Sequence, residues 1–100
     1  MIHELKTLPE YFEAAMSGSK TFEIRRNDRG FRVGDYIALN EYLPDITDPY
    51  EYTGKEKTFP RKVKGGSYSG RHLLFEITYI LDDNTLLPKE HVALGLSRVI

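Results

Sequence analysis

The sequence predicts a compact α+β fold: a small mixed β-barrel of about five to six strands with one N-terminal helix packed beside it. Three observations predict it. A single segment, residues 8–16, carries apolar residues at helical spacing. The segments after it alternate at strand length. The 100 residues are enough for one hydrophobic core and not for two, so residues 1–100 read as one domain.

Thr7-Leu8-Pro9-Glu10 reads as the helix start, with Thr7 as the cap, Pro9 in the first turn and Glu10 placed as in a capping box. Leu8, Tyr11, Phe12, Ala15 and Met16 form one apolar stripe, and Gly18 in Ser17-Gly18-Ser19 ends the helix. Residues 20–26 alternate as a half-buried strand does, with Phe22 and Ile24 pointing one way and Thr21, Glu23 and Arg25 the other. Asn27-Asp28-Arg29-Gly30 is a turn cluster, and Phe31-Arg32-Val33-Gly34-Asp35 a short connector.

Residues 36–42 read as a strand with Ile37 and Leu39 facing together. Residues 43–54 have no period and read as a loop. Residues 55–64 are a weak strand whose Pro60 suits an edge position. The glycine-rich residues 65–70 read as a flexible loop. Residues 72–81 are the strongest strand, with Leu73, Phe75, Ile77, Tyr79 and Leu81 on one face. Residues 92–100 close the chain as a strand, with Val92, Leu94, Leu96 and Ile100 alternating.

Composition excludes several function classes. There is no Cys, so no disulfide scaffold, thiolate zinc site or Cys nucleophile exists. No apolar run approaches the roughly 20 residues that span a bilayer. Met1-Ile2-His3-Glu4-Leu5-Lys6 lacks the basic start and apolar stretch of a secretion signal. A cytoplasmic monomer without cofactor, metal or membrane contact is expected. His3, His72 and His91 show no metal-ligand spacing. The net charge of −1 disfavours a general polyanion binder, yet it hides a segregation. Residues 41–51 carry Glu41, Asp45, Asp48 and Glu51 and no cation. Residues 55–71 carry Lys55, Lys57, Arg61, Lys62, Lys64 and Arg71 against Glu56.

The densest polar stretch is Gly18-Ser19-Lys20-Thr21-Phe22-Glu23-Ile24-Arg25-Arg26. Glu23 and Arg25 lie two apart and share a strand face, and Lys20 at the strand's start can swing round to join them. Such a corner offers a bidentate guanidinium to phosphate or carboxylate, and a carboxylate to an amino group. The bland alternative is a solvent-exposed Glu23–Arg25 ion pair that contributes little.

This stretch fits the pattern G-x-K-x-x-E-x-R and so resembles the signature of the ASCH domain in the PUA-like superfamily. Val33-Gly34-Asp35 resembles the V-G-D that follows it in such domains. His3-Glu4-Leu5-Lys6, residues 22–29, residues 77–81 and residues 92–96 resemble, more closely, a small ASCH-related family of bacteria and phages that is itself a domain of unknown function. The resemblance covers most of the chain apart from residues 50–71. It implies a PUA-like β-barrel with an adjoining helix, a cleft lined by the signature, and RNA binding. Some ASCH proteins are similar but hydrolyse acetylated cytidine, using the signature Lys, a Thr two residues before the Arg, and a downstream Glu. Lys20 matches, but Glu23 occupies the Thr position, Thr21 has the wrong spacing, and Glu76 is the nearest candidate for the downstream Glu.

The leading expectation is binding of RNA or a nucleotide by Lys20, Glu23, Arg25 and Arg26, extended by Lys62, Lys64, Tyr68 and Arg71. Lys20 and Glu23 are the catalytic candidates should the protein instead be an amidohydrolase on a modified nucleoside such as acetylcytidine. A regulatory domain with a protein partner is the third reading. Tyr11 and Tyr79 are read as core residues, Tyr50, Tyr52 and Tyr68 as loop residues able to stack on bases, and His3 as an ordinary strand residue.

Overall fold

The structure, a computed structural model, describes residues 1–44 and 66–100. The order of elements is β1 (Ile2–Thr7), α1 (Pro9–Met16), β2 (Phe22–Arg26), β3 (Tyr36–Pro44), β4 (Gly66–Leu81) and β5 (His91–Arg98). The five strands form one curled, half-barrel sheet in the order β1-β3-β4-β5-β2. The β1–β3 pair is parallel and the other three pairs are antiparallel. A strand therefore precedes the helix; the order of elements expected put the helix first, and only the reading of His3 as a strand residue placed a strand here. Of the loop expected at residues 43–54, Leu43 and Pro44 instead end β3, and its remainder and the edge strand expected at residues 55–64 lie outside the described residues.

The core is the concave side of the sheet closed by α1. Leu5, Ile37, Leu39, Leu73, Phe75, Ile77, Val92 and Leu94 come from the sheet, Phe12 and Ala15 from the helix, and Phe31 from the β2–β3 connector. The helix follows its expected stripe, but it is not capped as expected. Leu8 is the N-cap and no side chain bonds the first turn. Thr7 instead ends β1, buried, and its hydroxyl has no hydrogen-bond partner among the described residues. Gly18 does end the helix at φ +86°, a left-handed position where glycine carries no Cβ penalty.

Three other expectations are corrected by the sheet. Residues 66–70 are not a loop but the first part of β4, with Tyr68 opposite Tyr42. On β2 the buried side is the polar one: Glu23 is 5% exposed, whereas Phe22 and Ile24 are 47% and 46% exposed. Tyr79 is not core. The β4–β5 register shifts between Ile77 and Tyr79, and one extra residue turns Tyr79 outward while Ile80 takes the inward place. Tyr11 is half-buried, and Ile100 lies exposed beyond β5.

Candidate functional site

The signature residues converge where β2 faces the opposite edge of the half-barrel. Glu23 points inward because it is the register partner of the fully buried Leu94. An unpaired carboxylate there would be costly to desolvate, so its partners decide the geometry. Arg25, on the same face, donates Nε to Glu23 Oε2 at 3.1 Å. The Lys20 ammonium, arriving from just before β2, donates to Glu23 Oε1 and to the Phe22 carbonyl, the latter at 2.6 Å. Lys20 Nζ also lies 5.2 Å from the Phe22 ring centroid and 5.9 Å from that of Tyr11. The pair is thus no solvated surface pair. It is a triad of two cations on one buried carboxylate, carrying one net positive charge.

Two arginines tie this edge to the other one. The carbonyls of Glu4 and Lys6 face away from β3, since the Met1 carbonyl is the one that bonds Tyr36. Arg25 Nη2 donates to the Lys6 carbonyl at 2.9 Å, and Arg29 Nη1 to the Glu4 carbonyl at 2.5 Å.

Two further polar clusters were not anticipated as such. His3 is buried with Nε2 2.8 Å from Asp35 Oδ2, and its ring packs edge-on against Phe31 at 4.8 Å. Asp35 also accepts the Arg32 amide at 3.2 Å. The His3 hydrogen bond above all holds the Asp35 carboxyl below the ordinary carboxylate range. The His at position 3 and the Asp of Val33-Gly34-Asp35 thus form one feature that fastens β1 to β3, and only pairing of strands far apart in sequence reveals it.

The second cluster joins Glu41, Arg71 and Glu13. Glu41 continues the inward face of Ile37 and Leu39 and is buried. Arg71 Nε and Nη2 reach its two oxygens at 2.9 and 2.7 Å, and Nη2 also reaches Glu13 Oε1 on α1 at 2.5 Å. The guanidinium lies 4.9 Å from the Phe12 ring centroid. Donation from Arg71 holds the Glu41 carboxyl below its ordinary range and pushes the Arg71 guanidinium further up. Glu41 and Arg71, read as members of opposite charge poles, bond directly to each other.

The remaining candidates are dispersed. Arg26 is exposed at the end of β2, opposite His91. Tyr68 is exposed, stands edge-on to Tyr42 at 5.0 Å, and with Glu4, Asn40, Gly70 and Arg71 lines a surface cavity of about 320 Å³. Lys6 Nζ lies 4.8 Å from the Tyr42 ring centroid. A larger groove of about 540 Å³ runs over the outer side of β1, β3 and β4. The triad lines neither cavity. Glu76 lies opposite Tyr36 and Ser97, its neighbours Phe75 and Ile77 taking the core side. Lys62, Lys64, Tyr50 and Tyr52 lie outside the described residues. Among the described residues no three His, Asp or Glu side chains gather as metal ligands do, and no helix is long and apolar enough to cross a membrane.

A phage P2 protein of Escherichia, described as "Uncharacterized 12.9 kDa protein in GpA 3'region", is 33% identical over 55 residues, which is 55% of this chain and 46% of that protein. The chain thus aligns with just under half the length of this relative. The family model described as "Domain of unknown function (DUF3850)" matches residues 2–96. That span runs from β1 into β5 and takes in the Lys20–Glu23–Arg25 triad and the His3–Asp35 pair, and the chain belongs to the DUF3850 family.

Proposed function

We propose that this chain is a cytoplasmic ASCH-type, PUA-like domain that binds RNA or a nucleotide at the Lys20–Glu23–Arg25 triad. The observation that supports this most is the convergence of the Lys20 and Arg25 side chains on the buried Glu23 carboxylate at the gap between the sheet's edges. After its two bonds the Lys20 ammonium has one N–H left, and Arg25 has its Nη1 hydrogens. These donors suit phosphate oxygens, and the Glu23 oxygens retain lone pairs for an exocyclic amino group. The fixed carboxylate holds both cations in place before a ligand arrives, which lowers the cost of ordering long side chains. Binding is favoured over acetylcytidine hydrolysis because Glu23 stands where the nucleophilic hydroxyl would be needed and is taken up by the two cations.

The test is the affinity for short single-stranded RNA, read by fluorescence anisotropy at increasing salt. Each phosphate engaged should steepen the slope of log affinity on log salt by about 0.7. Absence of binding at low salt, or a flat slope, overturns the reading.

A further inference from the structure

The outer side of β2, β5 and β4 carries two exposed aromatic residues, Phe22 and Tyr79, of which the triad touches only the first, through Lys20. Phe22 and Tyr79 are both register partners of Gly95, one from each side, so the three residues form one row across the sheet. The neighbouring row, Glu23, Leu94 and Ile80, points to the core, which puts the Phe22–Gly95–Tyr79 row on the outside. Tyr79 is 63% exposed. Adjacent strands lie about 4.8 Å apart, so the two aromatic side chains rise from strands about 9.6 Å apart.

Gly95 puts no side chain of its own on the floor between them, where the Tyr79 Cβ and the Thr78 hydroxyl lie close by. A Cβ there would meet Tyr79 Cβ at 3.3 Å and Thr78 Oγ1 at 3.5 Å, and no ring atom is among its three nearest neighbours. A flat ring held between two others needs their planes about 7–8 Å apart, which a small lean of either side chain supplies. Ile24, Ala93 and Leu81 form the next outward row and extend the apolar floor.

The charge along β2 fits an anionic chain. Lys20 sits over the Phe22 ring at one end, and Arg26, two residues beyond Ile24, is exposed at the other. From Phe22 on, the outward series is ring, aliphatic, cation, and the Lys20 ammonium, held on the inward Glu23, meets this face only at the Phe22 ring. A partner protein would be served by an unbroken apolar face. A glycine gap between two rings, flanked by cations, fits a base on a phosphate backbone better.

We propose that the Phe22–Gly95–Tyr79 row is a stacking subsite for one base of a single-stranded RNA, with Lys20 and Arg26 meeting the flanking phosphates. This rests on the nucleic-acid reading above and adds to it a second face, reached round the edge of β2 through Lys20.

The experiment titrates the full chain against a ten-nucleotide RNA carrying one 2-aminopurine, whose fluorescence falls when it stacks. Tyr79→Ala and Phe22→Ala should each weaken binding about five- to 150-fold and abolish the quenching, as losing a stacking platform does. Tyr79→Phe should keep both signals, and Gly95→Val, which fills the floor, should lose the quenching. Both alanine changes fall on exposed residues, and an unchanged urea midpoint verifies the fold. If the unaltered chain binds the RNA while Tyr79→Ala stays within about twofold and keeps the quenching, the subsite is wrong and the triad reading stands. If the unaltered chain binds no RNA at low salt, the nucleic-acid reading falls and the subsite with it.

Discussion

Arg25 on β2 donates to the backbone carbonyl of Lys6 on β1 at 2.9 Å, although these strands are the two outer edges of the sheet. The same guanidinium holds the buried Glu23 carboxylate. One side chain thus links the signature to the closure of the half-barrel, with Arg29 and the Glu4 carbonyl as a second link. Exposed sheet edges invite pairing with other chains, and capping their carbonyls with arginines blunts that hazard.

Arg25→Ala should therefore destabilise the fold as well as weaken any ligand. It leaves Glu23 with one cation and frees the Lys6 carbonyl, a loss of about 2 kcal/mol, less than for a fully buried pair because Lys20 remains and Arg25 is partly solvated. Urea unfolding measures it. A change below about 0.5 kcal/mol, the range of ordinary surface substitutions, would refute the link.

Stability should fall in acid through Glu41. Its folded carboxyl titrates below the ordinary 4.5, chiefly because Arg71 donates to it. The contribution is then complete above that ordinary value and is lost as pH drops through the lower folded one. Asp35, lowered from 3.8 by His3, acts in the same direction. Thermal midpoints should be level near neutrality and fall below about pH 4.5, and Glu41→Gln should flatten that decline. Parallel acid curves for both proteins would exclude Glu41 as a source.

His3→Ala should cost about 2–3 kcal/mol, since it opens a cavity beside Phe31 and removes the Asp35 partner at a buried position. Chemical denaturation should show it as a lower midpoint with unchanged slope. A neutral result would mean that the pair does not fasten β1 to β3.

The outward face of β2 and the inward face of β5 make a contrast. Ile24→Thr, on the exposed side, should change stability by no more than about 0.5 kcal/mol. Leu94→Ala, fully buried opposite Glu23, should cost about 2–5 kcal/mol. Comparable losses at both positions would contradict the orientation of β2.

Much of the site was legible because parity is local. Two residues apart on a strand means one face, so Glu23 and Arg25 had to meet, and Lys20 was long enough to join them. The helix was legible from its stripe, and its end from Gly18. The mistaken reading of Tyr79 has an equally local cause: a single added residue reverses every later side chain, and Thr78 carries no sign of it in the sequence.

By itself the sequence determined the helix, the main strands and the grouping of Lys20, Glu23 and Arg25, because short-range periodicity and side-chain reach suffice for these. Only the tertiary structure decided that the charged face of β2 is the buried one. Alternation defines two faces but not which is inward. That depends on whether partners from distant segments neutralise the charge, and Lys20, Arg25 and the Lys6 carbonyl meet there only once β1 and β2 lie across the gap from each other. For the same reason Glu41 and Arg71, 30 positions apart, became partners through the β3–β4 pairing rather than through anything in their own neighbourhoods.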